Sequence, residues 1–155
     1  MVKVKYPVSI SNRQRPFVFV AGSGGAWIDQ VEKGLESLPK CTLIIPSDGP
    51  VEGVTEDWGM WRYRAAWEAD VIAIWFGSGN DQELKLIELG LHVGRYCSGS
   101  GARRMIIGVD KGCRFKDKIE AIVNASNINL QGSWKFEIID SLDRFCLKVK
   151  NCATR

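Results

Sequence analysis

The chain has 155 residues, 45% of them hydrophobic and 25% charged. This is an ordinary globular composition of about one domain's length, enough to bury a core unaided. Its net charge of +3 balances 21 basic against 18 acidic side chains spread along the whole sequence, with no block long enough for a nucleic-acid tail, and such mild basicity suits a small anionic ligand at least as well as DNA. Five cysteines form an odd set without a C-x-x-C pair; they argue against a disulfide framework or a zinc site and for a reducing cytosol. No apolar signal region follows Met1, and no run approaches the roughly 18 apolar residues of a membrane span.

Residues 1–15 mix polar, basic and proline positions without period and predict an irregular N-terminal arm, followed by a single α/β domain over residues 16–155. Phe17 to Ala21 is a continuous β-branched and aromatic run, as in a strand buried on both faces. Gly22-Ser23-Gly24-Gly25 ends it. Ile28, Val31, Leu35 and Leu38 then fall on one face of a helix that Pro39 closes. Thr42 to Ile45 is a second buried strand, and a loop rich in Gly, Pro and Asp leads from Pro46 to Thr55, a candidate N-cap. The helix beyond carries Trp58, Trp61 and Trp67 with Arg62 and Arg64.

Val71 to Phe76 is the strongest strand signal. The next helical pattern places Leu86, Leu89, Val93 and Tyr96 on one face and Glu88, His92 and Arg95 on another. Met105 to Val109 reads as a fourth strand, Lys116 to Val123 as a short helix, and residues 124–132 as a loop. A last strand near Phe136 to Ile139 precedes a helix capped by Ser141, with Leu142, Phe145, Cys146 and Val149 facing inward. Strands alternating with helices, without hairpin signals, predict a doubly wound, five-stranded parallel sheet of the flavodoxin-like kind.

In such a sheet the ligand crevice lies outside the C-terminal ends of the strands. Three loops converge there: Gly22 to Gly25, Pro46 to Trp58, and Gly77 to Glu88. Glu88 is the leading candidate for chemistry, because a carboxylate near a helix start stays ionised and can act as a nucleophile. The bland alternative is that it only complements the helix dipole. Gly22 and Ser23 belong to a Gly-rich turn whose amides can cradle an anion, or that is simply a tight connection; no Walker loop or G-x-G-x-x-G is present. Trp58 and Trp61 either stack on a base or sugar, with Arg62 holding an anion, or pack in the core. His92, four residues after Glu88, contacts that carboxylate or a substrate, or else faces solvent or is satisfied by a hydrogen bond. Asp70 reads as a turn or cap residue at the opposite sheet edge.

The order VFVAGS, a Trp-led helix, a strand ending in Pro, Trp-Arg within a helix, ADVIAIWF and finally LIELG resembles the nucleoside 2-deoxyribosyltransferase superfamily, which includes the deoxynucleoside-monophosphate N-glycosidases. The similarity covers roughly residues 17 to 110 and is nearest the deoxyribosyltransferase-like branch. It implies that Glu88, in the Glu-Leu-Gly motif, attacks the anomeric carbon of a nucleoside or nucleoside monophosphate. The base departs, and water or a second base resolves the covalent glycosyl-enzyme. It further implies no metal or organic cofactor, a small-molecule partner, and a homodimer or larger homo-oligomer.

Three positions depart from the family pattern. Phe19 stands where a Tyr is common, Arg62 where an acid contacts the substrate, and Gln82 where Asp or Ser is usual. Arg62 reverses the local charge and would favour a phosphate or carboxylate, and Ser23 sits where the monophosphate hydrolases hold phosphate. A non-catalytic nucleotide-binding or sensing module on the same fold is the alternative reading, and a scaffold for partner binding a third.

Overall fold

The computed structural model describes residues 2–4, 13–23, 27–38, 40–46, 52, 57–78, 82–99, 104–128, 130 and 135–154. Its centre is a six-stranded sheet in which every paired strand is parallel. The strands are β1 (Val2–Val4), β2 (Phe17–Ser23), β3 (Thr42–Ile44), β4 (Val71–Phe76), β5 (Arg104–Val109) and β6 (Ile138–Ile139), and they lie in the order β1-β3-β2-β4-β5-β6. The helices are α1 (Trp27–Leu35), α2 (Trp58–Glu68), α3 (Gln82–Cys97), α4 (Lys116–Asn127) and α5 (Leu142–Ala153). Without β1, this is the five-strand flavodoxin-like order, and the switch point lies between β2 and β4.

The side chains of the inner strands alternate between two layers, as the two-residue repeat requires. Phe17, Phe19 and Ala21 of β2 and Ile72, Ile74 and Phe76 of β4 join Trp61, Ala65, Leu89, Val93, Ile119 and Val123 on the α2, α3 and α4 side. Val18, Val20, Val71, Ala73 and Trp75 join Val31, Leu35, Phe145, Cys146 and Val149 on the α1 and α5 side. On that second side the Trp75 and Phe145 rings meet edge to face, with centroids 5.4 Å apart. Gly108 of β5 makes room for them: a Cβ there would lie 2.2 Å from Trp75 and 2.7 Å from Phe145.

Four details differ from the sequence expectations. The first is the N-terminal arm, which contributes a sixth strand. Val2 to Val4 pair with Thr42 to Ile44, and Lys3 Nζ donates to Glu32 at 2.9 Å; a three-residue edge strand is too short to print a period. The second is the cap of α2, which is Asp57, accepting from the Met60 amide at 3.1 Å; Thr55 lies outside the described residues.

The third is the end of α4, which continues to Asn127. Asn127 then exchanges two side-chain hydrogen bonds with the Phe136 backbone, so a polar stretch read as loop is helix held by a tertiary clasp. The fourth is the start of α3, at Gln82. Glu88 therefore lies in its second turn, beyond the first turn where the helix dipole acts strongly. Asp70 has the structural role expected of it, accepting from Arg15 at 2.8 Å and from the Phe17 amide at 2.9 Å.

Candidate functional site

Helices α2 and α3 lie on the same side of the sheet and meet across Phe19 through long side chains. Phe19 is fully buried and forms an aromatic floor. The Arg62 guanidinium sits 5.6 Å from the Phe19 ring centroid and 5.5 Å from that of Trp58. From there it forks onto Glu88: Nε donates to Oε1 at 2.7 Å and Nη2 to Oε2 at 2.8 Å. Lys85 Nζ approaches the same carboxylate at 3.6 Å. The two partners keep only 11% and 17% of their side-chain surface exposed, so water screens this pair far less than a surface ion pair.

The electrostatics follow from that geometry. Burial pushes the Glu88 carboxyl up, but the hydrogen bonds and charge of Arg62, with Lys85 adding to them, outweigh it and hold the group below its ordinary value. Glu88 is thus ionised at neutral pH. His92 behaves oppositely: burial lowers its pKa to about 4, against the pull of the Glu88 charge and with help from Arg95 and Arg62. It is a neutral imidazole, 4% exposed, packed edge-on to Phe19 at 6.3 Å. Neither ring nitrogen has a hydrogen-bond partner among the described residues.

Phe19, Trp58, Arg62 and Glu88 are therefore brought together, and His92 joins them. His92 is neither solvent-facing nor hydrogen-bonded within the described residues, in contrast to the ordinary expectation for such a residue; the aromatic floor and the two helices shut it in. Trp61 is 3% exposed and belongs to the core, so it has no face for stacking on a ligand. The glycine at position 22 serves packing, since a Cβ there would lie 2.3 Å from the Trp75 carbonyl oxygen and 2.5 Å from the Trp27 ring.

Ser23 ends β2 beside Phe76, and Gln82 opens α3, but the side chains of both lie outside the described residues. So do positions 24–26, 47–51, 53–56 and 79–81, the bulk of the three loops expected to converge. Arg95, placed by the sequence on the polar face with Glu88 and His92 but given no role there, joins the same side of the sheet. It is 9% exposed, and its guanidinium lies 3.9 Å from the Trp67 ring centroid and 6.0 Å from that of Tyr63. Its signal was the spacing Glu88, His92, Arg95, which repeats a polar face at helical period where α3 turns toward α2.

Arg62 occupies the position of an acid in the resembled family, and here its fork engages Glu88. What this arrangement offers chemically is an anionic carboxylate of fixed orientation over an aromatic surface, next to an uncharged imidazole. Among the described residues no group of three His, Cys, Asp or Glu side chains is placed to hold a metal ion, and no helix is long and apolar enough to cross a membrane. No family model and no curated protein matches the sequence. The likeness to the deoxyribosyltransferases therefore rests on the motifs quoted above.

Proposed function

We propose that this chain is a nucleoside 2-deoxyribosyltransferase-like enzyme that cleaves or transfers at the N-glycosidic bond of a nucleoside or nucleoside monophosphate. In this reading a Glu88 oxygen attacks the anomeric carbon, and the base leaves with the electron pair of the broken C–N bond. Water or a second base then attacks the same carbon and frees the carboxylate. Neither step consumes a metal or an organic cofactor.

The observation that carries the reading is the state of Glu88: ionised, held in one orientation by Arg62, and sheltered over Phe19. The Arg62 fork also occupies both carboxylate oxygens, so attack requires it to loosen. An anionic group on the substrate competes for the guanidinium and supplies that release. The expected homo-oligomer has surface available in Met60, Tyr63 and Trp67 of α2 and Ile87 and Leu91 of α3, all exposed apolar side chains.

The occupied carboxylate also favours a second reading, a nucleotide-binding or sensing module without turnover. One experiment separates the two. A panel of nucleosides and nucleoside monophosphates is incubated with the protein, with and without an acceptor base, and free base is measured by chromatography. The enzymatic reading expects base release that disappears in Glu88→Gln, with a glycosyl adduct on the wild-type chain by intact mass. Calorimetric binding without release over long incubation establishes the second reading. Neither binding nor release removes both.

A further inference from the structure

The opposite edge of the sheet carries a cavity of about 410 Å³, within the roughly 300–1,000 Å³ of small-molecule sites. Its origin is a mismatch of strand lengths. β6 pairs only with Ile107 and Gly108, so among the described residues the outer backbone edge of Arg104 to Ile106 has no strand beside it. The notch is walled by Met105 and Phe136, with Tyr96 packed on Phe136 at a centroid distance of 4.9 Å, and is closed by the last turns of α5.

The charges around this notch do not cancel. Arg104, Lys135 and Lys148 line it against one acid, Glu137. Glu137 accepts from Lys148 at 3.1 Å and, outside the cavity, from Arg144 at 3.2 Å. Among the described residues no carboxylate pairs with Arg104 or Lys135. The Arg104 charge reaches Tyr96, where it opposes the upward push that burial gives the phenol. Among the described residues, an aromatic wall, a strand edge with no strand beside it and two cations with no carboxylate partner share one concave site.

We infer that this cavity is a second binding site, for a small organic anion: a phosphate or carboxylate carried on a flat apolar body. The anion meets Arg104 and Lys135, and the flat body lies along Phe136 and Tyr96. Neither Arg62 nor Glu88 lines the cavity, and the inference does not depend on the proposed glycosidic chemistry.

Cys152 lines the same cavity and is a partly exposed free thiol, whereas Cys97 is exposed and does not line it. Alkylation by neutral iodoacetamide, followed residue by residue by peptide mass spectrometry, reports occupancy without any assay of activity. Saturating phenyl phosphate or benzoate is expected to slow Cys152 at least fivefold while Cys97 reacts as before. Protection by phenyl phosphate alone identifies a phosphate ligand, and protection by benzoate alone a carboxylate.

Arg104→Ala with Lys135→Ala should abolish the protection at an unchanged unfolding midpoint. Lys135→Ala alone, at an exposed side chain, should weaken it if the pair perturbs folding. Absence of protection by both anions overturns the inference. So does equal protection by uncharged benzyl alcohol or by inorganic phosphate alone, or protection that survives in the double variant with the wild-type midpoint.

Discussion

The two faces of the sheet are built from the same strands and filled differently. Toward α1 and α5 the buried side chains are apolar throughout, from Val18 and Leu35 to Phe145 and Val149. Toward α2 and α3 the core also takes in Arg62, His92 and Arg95, which account for all the buried polar side chains of the described residues except Thr42. Burying a guanidinium or an imidazole costs free energy that an aliphatic side chain does not. A chain selected for stability alone would fill both faces alike. The face that accepts this cost is the one expected to carry function.

The largest effect should come from the apolar face. Phe145→Ala removes a fully buried ring packed on Trp75 and is expected to lower unfolding free energy by about 3–5 kcal/mol in urea titration. On the other face Glu88→Ala strands the Arg62 charge and should cost about 2–3 kcal/mol, less than a wholly buried pair because both groups retain some solvent. The double variant Arg62→Met/Glu88→Leu sharpens the contrast: it should return to within about 1 kcal/mol of wild type, since the apolar pair no longer needs partners. Additive losses in that cycle would show that the pair is not coupled.

His92 supplies a pH signature. Its folded pKa of about 4 lies below its ordinary 6.5, so between those values the unfolded chain binds the extra proton. Stability is therefore full above pH 6.5 and declines as pH falls toward 4. Comparing pH 7 with pH 5 by chemical unfolding should show a loss of about 1–2 kcal/mol. His92→Leu should remove most of it; an unchanged slope would assign the loss to other groups. Glu88, whose folded pKa is depressed, keeps its full contribution above its ordinary carboxylate value and loses it as pH falls from there toward the lower folded value. The smallest effect belongs to neither face: Asp70→Ala, at the N-terminal edge, should cost about 1 kcal/mol through its bonds to Arg15 and the Phe17 amide.

The sequence reading was strongest where burial is continuous. Val71 to Phe76 matches its strand end to end, because an unbroken β-branched and aromatic run has no other good conformation. The inward positions of α5 were equally legible, since three of the four expected residues, Phe145, Cys146 and Val149, are buried. β1 was missed because three residues paired at an edge leave no pattern. The start of α3 was missed because its first residues, Gln82 and Glu83, are polar and Glu83 is exposed. The site was half legible. Glu88 and Arg62 each stand out in the sequence, but in separate roles, the one as nucleophile and the other as a holder of an anion. Their union had a signal: an Arg where the resembled family places an acid is electrostatically complementary to Glu88 once both helices cover the same face. The burial of His92 carried no such signal, because a helical wheel does not say how far a neighbouring helix extends over its polar side.

The first strand has a consequence for the behaviour of the protein at high concentration. Val2 to Val4 cover β3, whose three residues are all buried, and at the far side the sheet closes on the two residues of β6. Among the described residues the outermost strands are short, and the open edge of β5 beside β6 runs only from Arg104 to Ile106, so each margin is a poor template for a strand from another molecule. A chain cut before Arg13 would bare the hydrogen-bonding groups of Thr42 to Ile44 beside a fully buried strand, and is expected to self-associate more readily than the full chain by light scattering at matched concentration.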